Sequence, residues 1–185
     1  MIRPDELKEG PLPDRSTPGS SVAPLTITHV TAPAPMGGLE SVVAGLARGM
    51  AERGHRVRVV ALLDSRPSCV PFESLPESGV ELVEIRVVRR TPGAESRRIA
   101  DELRRAPGVV HAHGARADRT AWLAARTTGQ PLLATSHGYL GGGRKNRLAE
   151  WLDRRLLARF DRVVAVSRPL GRQLESAGVR SERLR

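Results

Sequence analysis

The sequence predicts a single α/β domain, a parallel sheet with helices on both of its faces. Three observations carry this reading. From residue 25 onward, short runs rich in Val, Ile and Leu alternate with longer segments whose apolar residues recur every three or four positions. Strands separated in this way by helices pair in parallel, because the chain must cross back over the sheet between them. The third observation is size: 185 residues, 39% of them hydrophobic, suffice for one core and not for two.

The elements follow in order. Residues 1–24 hold five prolines, mixed charge and few apolar side chains, and read as a disordered tail. "LTITHVT" (25–31) is a strand. "LESVVAGLARGMAERG" (39–54) is a helix with Val42, Val43, Leu46, Ala47, Met50 and Ala51 on one face, and Gly54 at its end. "HRVRVVALL" (55–63) is the next strand, followed by a looser Pro-rich stretch and a third strand at 80–88. Then come a helix at 94–106, a strand at 108–113, a helix at 116–129 and a strand at 131–137. An amphipathic helix at 144–160, a strand at 161–167 and a short helix at 168–178 complete the pattern. The domain therefore spans 25–185.

Composition narrows the function. Aromatic residues make up only 3%, so the core is built from Val, Leu, Ala and Ile. The net charge is +10 and the pI about 11.4, with Lys8 and Lys145 the only lysines. Such a surface suits an anionic partner: nucleic acid, an acidic membrane or a phosphorylated small molecule. An Arg-rich genome would give the same balance. The sequence has no RNP motif, zinc finger or aromatic platform, which argues against nucleic acid. Cys69 is the only cysteine, which excludes an intramolecular disulfide or a Cys-based zinc site, and it is given no role. The start lacks the apolar core of a signal peptide, and no run approaches the roughly 20 residues of a membrane span. The expected location is the cytoplasm, with peripheral contact at the inner face of the membrane as an option.

In parallel α/β sheets, ligands bind beyond the carboxyl ends of the strands. The chemically suggestive residues collect there. Gly37 and Gly38 follow the first strand and open a helix, where backbone N–H groups and the helix dipole favour an anion; the alternative is a plain tight turn. Neither the dinucleotide GxGxxG pattern nor a Walker loop is present. Glu40, in the first helical turn, either faces a sugar hydroxyl or simply complements the dipole. His111 and His113 share one face of a strand, and His113, nearer its end, is the better candidate to point into a cleft. They lack a visible third ligand, so no metal is expected. His137 ends another strand before "GYLGGG", whose first residue is Gly138; a titratable imidazole there suits a polar contact with substrate, or a structural hydrogen bond. Ser167 ends the last strand and is not in a nucleophile elbow. The 144–160 helix sets Leu148, Trp151, Leu152, Leu156 and Phe160 on one side, with Lys145, Arg147, Arg154 and Arg155 elsewhere. It either covers the sheet or meets anionic lipid.

Four stretches, "HVTAPAPMGGLESVVAGLARGMAERGHRVRVVAL", "GVVHAHG", "PLLATSHGYLGGG" and "FDRVVAVSRPLGRQLESAGV", stand in an order that resembles the N-terminal domain of the family 4 retaining glycosyltransferases. The resemblance covers about residues 25–185. It implies a Rossmann-like domain equal to one half of a GT-B fold, in which two such domains face each other across a cleft. The N-terminal half mainly holds the acceptor and the other half the nucleotide-sugar donor, with no metal or other cofactor. Carried onto this chain, Gly37 and Gly38 would lie beside the donor phosphates and acceptor. His137 would be the catalytic cleft residue near the transferred sugar, with Gly138 beside it. His113 would line the acceptor side and Ser167 the last strand's mouth. The resemblance also implies that the donor half, with its basic phosphate-binding residues and Glu-x7-Glu motif, lies beyond "SERLR". The expectation is a chain inactive without a donor domain, supplied by a separate polypeptide if the chain is half of a split enzyme. The alternative is a non-catalytic module that binds an acceptor or a membrane.

Overall fold

A computed structural model of the chain describes residues 23–33, 38–63, 72–87, 91–138 and 144–185, with 144–147 as backbone only. Gly37, Cys69, Gly141–Gly143 and nearly all of the N-terminal tail lie outside the described residues. Among the described residues six strands and five α-helices follow the order of the sequence pattern, with a helix between successive strands except between β2 and β3. They are β1 (Thr26–Thr31), α1 (Gly38–Ala51), β2 (Arg56–Leu63), β3 (Glu81–Arg86), α2 (Pro92–Arg105), β4 (Val109–His113), α3 (Ala115–Thr128), β5 (Leu132–Ser136), α4 (Arg144–Leu157), β6 (Arg162–Ala165) and α5 (Arg168–Ser176).

The strands form one sheet in the order β3-β2-β1-β4-β5-β6, every neighbouring pair parallel. After β3 the chain crosses β2 and β1 to place β4 on the far side of β1. Strand order therefore reverses between β1 and β4, which opens a crevice at their carboxyl ends.

Alternation along the strands divides the core in two. On one face, Val43, Ala44 and Ala47 of α1 pack on Val57, Val59, Ala61 and Leu63 of β2. On the other, Ile99 and Leu103 of α2, Ala121 and Ala124 of α3, Leu157 of α4 and Leu170 and Leu174 of α5 pack on Val30, Val60, Val110, Ala112, Ala134 and Val163. Small alanines on α3 let this helix sit close against the centre of the sheet.

Several boundaries differ from the pattern-based ones, for local reasons. α2 begins earlier, at Pro92, because Thr91 caps it: its Oγ1 accepts from the Ala94 N–H at 3.2 Å. β6 ends at Ala165 because Ser167 is already the N-cap of α5. The apolar side assigned to the 144–160 helix is buried only at its end: Phe160 is buried and Leu156 packs partly against the core, whereas Leu148, Trp151 and Leu152 are exposed, and Leu157, outside that set, is buried.

One buried charge is fully paired. Arg58 in β2 donates from Nε and Nη2 to the two Glu81 carboxylate oxygens, each at 2.9 Å, and from Nη2 to Glu102 Oε2 at 2.7 Å. Its Nη1 reaches the Glu102 carbonyl at 3.0 Å, so β2, β3 and α2 are tied together by one guanidinium.

Candidate functional site

Four of the five histidines meet at the point where strand order reverses. His29 on β1 lies beside His111 on β4, and Thr31 beside His113. His29's other neighbour is Val59, whose side chain packs under α1, so this row of residues faces the α1 side of the sheet. His113 in turn lies beside Thr135 on β5.

The rings touch in sequence. His29 Nδ1 and His113 Nε2 are 3.0 Å apart, a hydrogen-bond distance. His113 Nδ1 and His137 Nε2 are 3.5 Å apart, at the long end of that range. His111 Nε2 pairs instead with the Thr135 hydroxyl at 2.8 Å. The His111 and His113 ring centroids are 4.1 Å apart, and those of His113 and His137 5.8 Å.

Burial keeps this group uncharged. It lowers His29 to about 3, with nearby His111 adding to the effect. It lowers His111 to about 4, with His137 contributing. His113 is pushed down by burial, then by His111, His29 and His137. His137 is lowered by burial too, but less enclosed, and the carboxylate of Glu40 opposes the shift. At neutral pH each ring therefore carries one N–H and one lone pair.

Local turns aim the two outermost rings. His113 is followed by Gly114 and His137 by Gly138, at φ +88° and +95°. In this left-handed region a side chain is strained. The chain thus turns sharply away just after each histidine and leaves the ring at the strand's mouth. α1 closes the site from above: Leu39 approaches within 3.7 Å of where a Gly114 Cβ would stand, and Glu40 is buried in the helix's first turn.

The residues singled out from sequence separate into two sets. Glu40, His113 and His137 come together at the crevice, with Gly38 opening α1 and Gly138 following His137. His113 is 1% exposed and both its ring nitrogens face other histidines, so it reaches a ligand only through His137. Ser167 is exposed, accepts from the Leu170 N–H at 3.4 Å as the α5 cap, and makes no hydrogen bond to the histidines. His29 was not anticipated, because it stands in mid-strand and only the pairing of β1 with β4 brings it to the other histidines. Thr31, at the end of β1, was missed as well; its buried hydroxyl has no hydrogen-bond partner among the described residues.

His29 also supplies the third ligand that His111 and His113 lacked in the sequence, with the candidate nitrogens within 4.8 Å of one another. The set could hold a metal ion. The 3.0 Å separation of His29 and His113, and the bond from His111 to Thr135, show these nitrogens satisfying one another and a hydroxyl.

A second concavity lies away from the crevice. α3 and α4 leave a groove of about 570 Å³ between them, lined by Trp122, Leu148, Leu152, Leu156, Arg155 and Arg159 among others.

The 3-2-1-4-5-6 parallel sheet with a polar crevice at its reversal point is the architecture of a Rossmann-like domain, and it matches one half of the two-domain GT-B glycosyltransferases. Residues 36–185 match the model of Glycosyltransferase Family 4, and the chain belongs to that family. Among solved structures it is similar to HepE of Anabaena in complex with UDP-glucose, at 17% identity and a TM-score of 0.65, over 87% of this chain and 43% of that one. It is similar also to a glycosyltransferase of Rickettsia africae (17% identity, TM-score 0.67, covering 89% and 42%). The lipopolysaccharide outer core galactosyltransferase WaaB is a third such structure (10%, 0.66, 87% and 44%). The chain thus spans less than half the length of these proteins. No curated protein matches it.

Proposed function

We propose that this chain is the acceptor-side half of an enzyme that moves a sugar from a nucleoside-diphosphate sugar to an acceptor. The observation that carries the reading is His137: a half-buried neutral imidazole at a strand end, beside Glu40 and the start of α1, at the strand-order reversal. His137 faces the transferred sugar. The N-terminus of α1, opened by Gly38 and preceded in the sequence by Gly37, offers backbone N–H groups and dipole to the donor phosphates. Glu40, in its first turn, faces a sugar hydroxyl. A donor-binding domain supplies most of the donor affinity and the charge stabilisation for the departing diphosphate. Catalysis in this reading requires no metal.

The family membership and the UDP-glucose bound to the similar HepE support a nucleotide-sugar donor. The test is nucleotide release from a panel of nucleotide sugars, measured with this chain alone and with a donor-domain polypeptide of the same family added. Turnover only in the second mixture, lowered by His137→Ala, is the expected result. Full-rate turnover by the chain alone, or none in either mixture, overturns the proposal.

A second reading rests on a different surface. Leu148, Trp151 and Leu152 are 59%, 51% and 52% exposed, and Arg119, Arg155 and Arg159 line the adjoining groove. This face is suited to peripheral contact with an anionic membrane, at the cytoplasmic side, where a lipid acceptor would be presented. Among the described residues no helix is long and apolar enough to cross a membrane. Membrane contact without sugar transfer is the non-catalytic alternative.

A further inference from the structure

We propose that His29 and His113 form a one-way chain of imidazole hydrogen bonds that fixes His137 in its Nδ1–H tautomer, so that His137 meets its ligand as a hydrogen-bond donor. The identity of that ligand rests on the function proposed above; the chain itself does not.

A neutral imidazole has one N–H and one lone pair. His113 faces His29 through Nε2 and His137 through Nδ1. With a single proton it accepts on one side and donates on the other, so both bonds run in the same direction. In the inward direction, His137 donates to His113 and His113 to His29. The His29 proton then sits on Nε2, which is buried and has no partner among the described residues. In the outward direction, His29 Nδ1–H donates to His113 Nε2, and His113 Nδ1–H donates to His137 Nε2. The orphan atom is then a bare lone pair. A buried N–H without a partner is rarer and costlier than an under-used acceptor, so the outward direction prevails.

The consequence falls on His137. Its Nε2 lone pair is taken by His113, and its proton stands on Nδ1, which has no hydrogen-bond partner among the described residues. A fixed N–H at a strand mouth holds an oxygen lone pair, such as that of a sugar hydroxyl. It cannot accept a proton at that atom. His137 thus binds and polarises and is not a general base. His29 and His113, which reach the ligand only through His137, are positioning residues. A metal ion ligated by His29 Nδ1 would displace the proton that the outward direction places on that atom.

The experiment is long-range proton–nitrogen correlation NMR on the 185-residue chain carrying 15N-histidine, which reads directly which ring nitrogen holds the proton. At neutral pH the expected result is Nδ1–H at His29, His113 and His137. In His113→Phe, His137 Nε2 is released and the ring shifts to the Nε2–H form that free histidine prefers in water. An Nε2–H tautomer at His137 in the unmodified chain overturns the proposal, whether or not the variant folds. So does stoichiometric uptake of added Zn²⁺ that abolishes the His29 Nδ1–H signal. Adding UDP-glucose separates this inference from the reading beneath it. An Nδ1–H His137 that ignores every nucleotide sugar, with donor domain present, leaves the chain of imidazoles standing and removes the sugar-facing role.

Discussion

His29 on β1 and His113 on β4 hold each other at 3.0 Å, ring nitrogen to ring nitrogen, across the line where strand order reverses. Both are buried and uncharged, and this makes the fold sensitive to acid. His29 and His111 titrate at about 3 and about 4 when folded, against an ordinary value of 6.5, and His113 is lowered as well. Below pH 6.5 the unfolded chain takes up protons that the folded chain refuses. Stability is therefore greatest above 6.5 and falls as pH drops toward 4, by about 1.4 kcal/mol per pH unit for each refusing histidine. Urea midpoints measured at pH 7, 6 and 5 should fall steeply, and His29→Leu should remove one proton from the slope. A flat profile would contradict the buried neutral cluster.

Asp118 acts in the opposite sense. It lies in α3 and Asp153 in α4, both nearly inaccessible, and burial followed by the Asp153 charge raises the Asp118 carboxyl well above 3.8, against the weaker pull of Arg119. A carboxyl raised on folding stabilises in its protonated form, and this contribution is lost as pH rises through the folded value. One such group cannot cancel three histidines, so acid still destabilises overall. At neutral pH, however, Asp118→Asn removes the cost of holding a carboxyl group in this buried place beside Asp153. The favourable dipole term lost with it, about 0.3–1 kcal/mol, is smaller than the desolvation it relieves. The variant should melt a few degrees higher at pH 7, with about 2–4 °C for each kcal/mol gained, and the advantage should shrink at pH 4. An unchanged or lowered melting temperature at pH 7 would contradict the buried pair.

These two cases show where sequence reading stops. Every strand and helix was legible, because alternation and the 3.6-residue repeat are local signals. His137 and His113 were legible too, since each stands at a strand's end. His29 stands in mid-strand, where it looks like any core residue; its meaning depends on β4 lying beside β1, which the long α2 crossover decides. Arg58 gave only a charge inside a strand, and its two carboxylate partners come from β3 and α2. Asp118 and Asp153 carry no local mark of burial; it follows only from the packing of α3 and α4 against each other and the sheet.

The β1–β4 contact makes a sharper demand at Gly108. A Cβ placed there would lie 2.1 Å from the Thr26 carbonyl oxygen, and backbone cannot yield as a flexible side chain does. Gly108→Ala should cost at least about 3 kcal/mol or prevent folding. Gly45, exposed on α1 with nothing within 4 Å of its would-be Cβ, is the control. Gly45→Ala should stabilise by about 0.4–1 kcal/mol through helix propensity and reduced chain entropy. Denaturant midpoints of the two variants should move in opposite directions, and a tolerated Gly108→Ala would mean that β1 and β4 are not this close.

The exposed face of α4 allows a separable test of membrane contact. Trp151 and Leu148 offer apolar area, while Arg155 lies 5.2 Å over the Trp151 ring and Arg159 5.3 Å over Trp122. Apolar and cationic contributions respond differently to salt. Arginines near an anionic surface contribute about 1 kcal/mol each and are screened, whereas buried apolar area is not. Flotation with anionic vesicles should therefore recover the chain at low salt and less of it at high salt, and neutral vesicles should recover little. Replacing Arg155 and Arg159 together by Gln should weaken anionic binding roughly tenfold or more and flatten its salt dependence. Trp151→Ser should instead remove the part that survives high salt, leaving the salt slope intact. Equal recovery with neutral and anionic vesicles, or no recovery with either, would remove the membrane from the function of this face. The groove between α3 and α4 would then need another occupant.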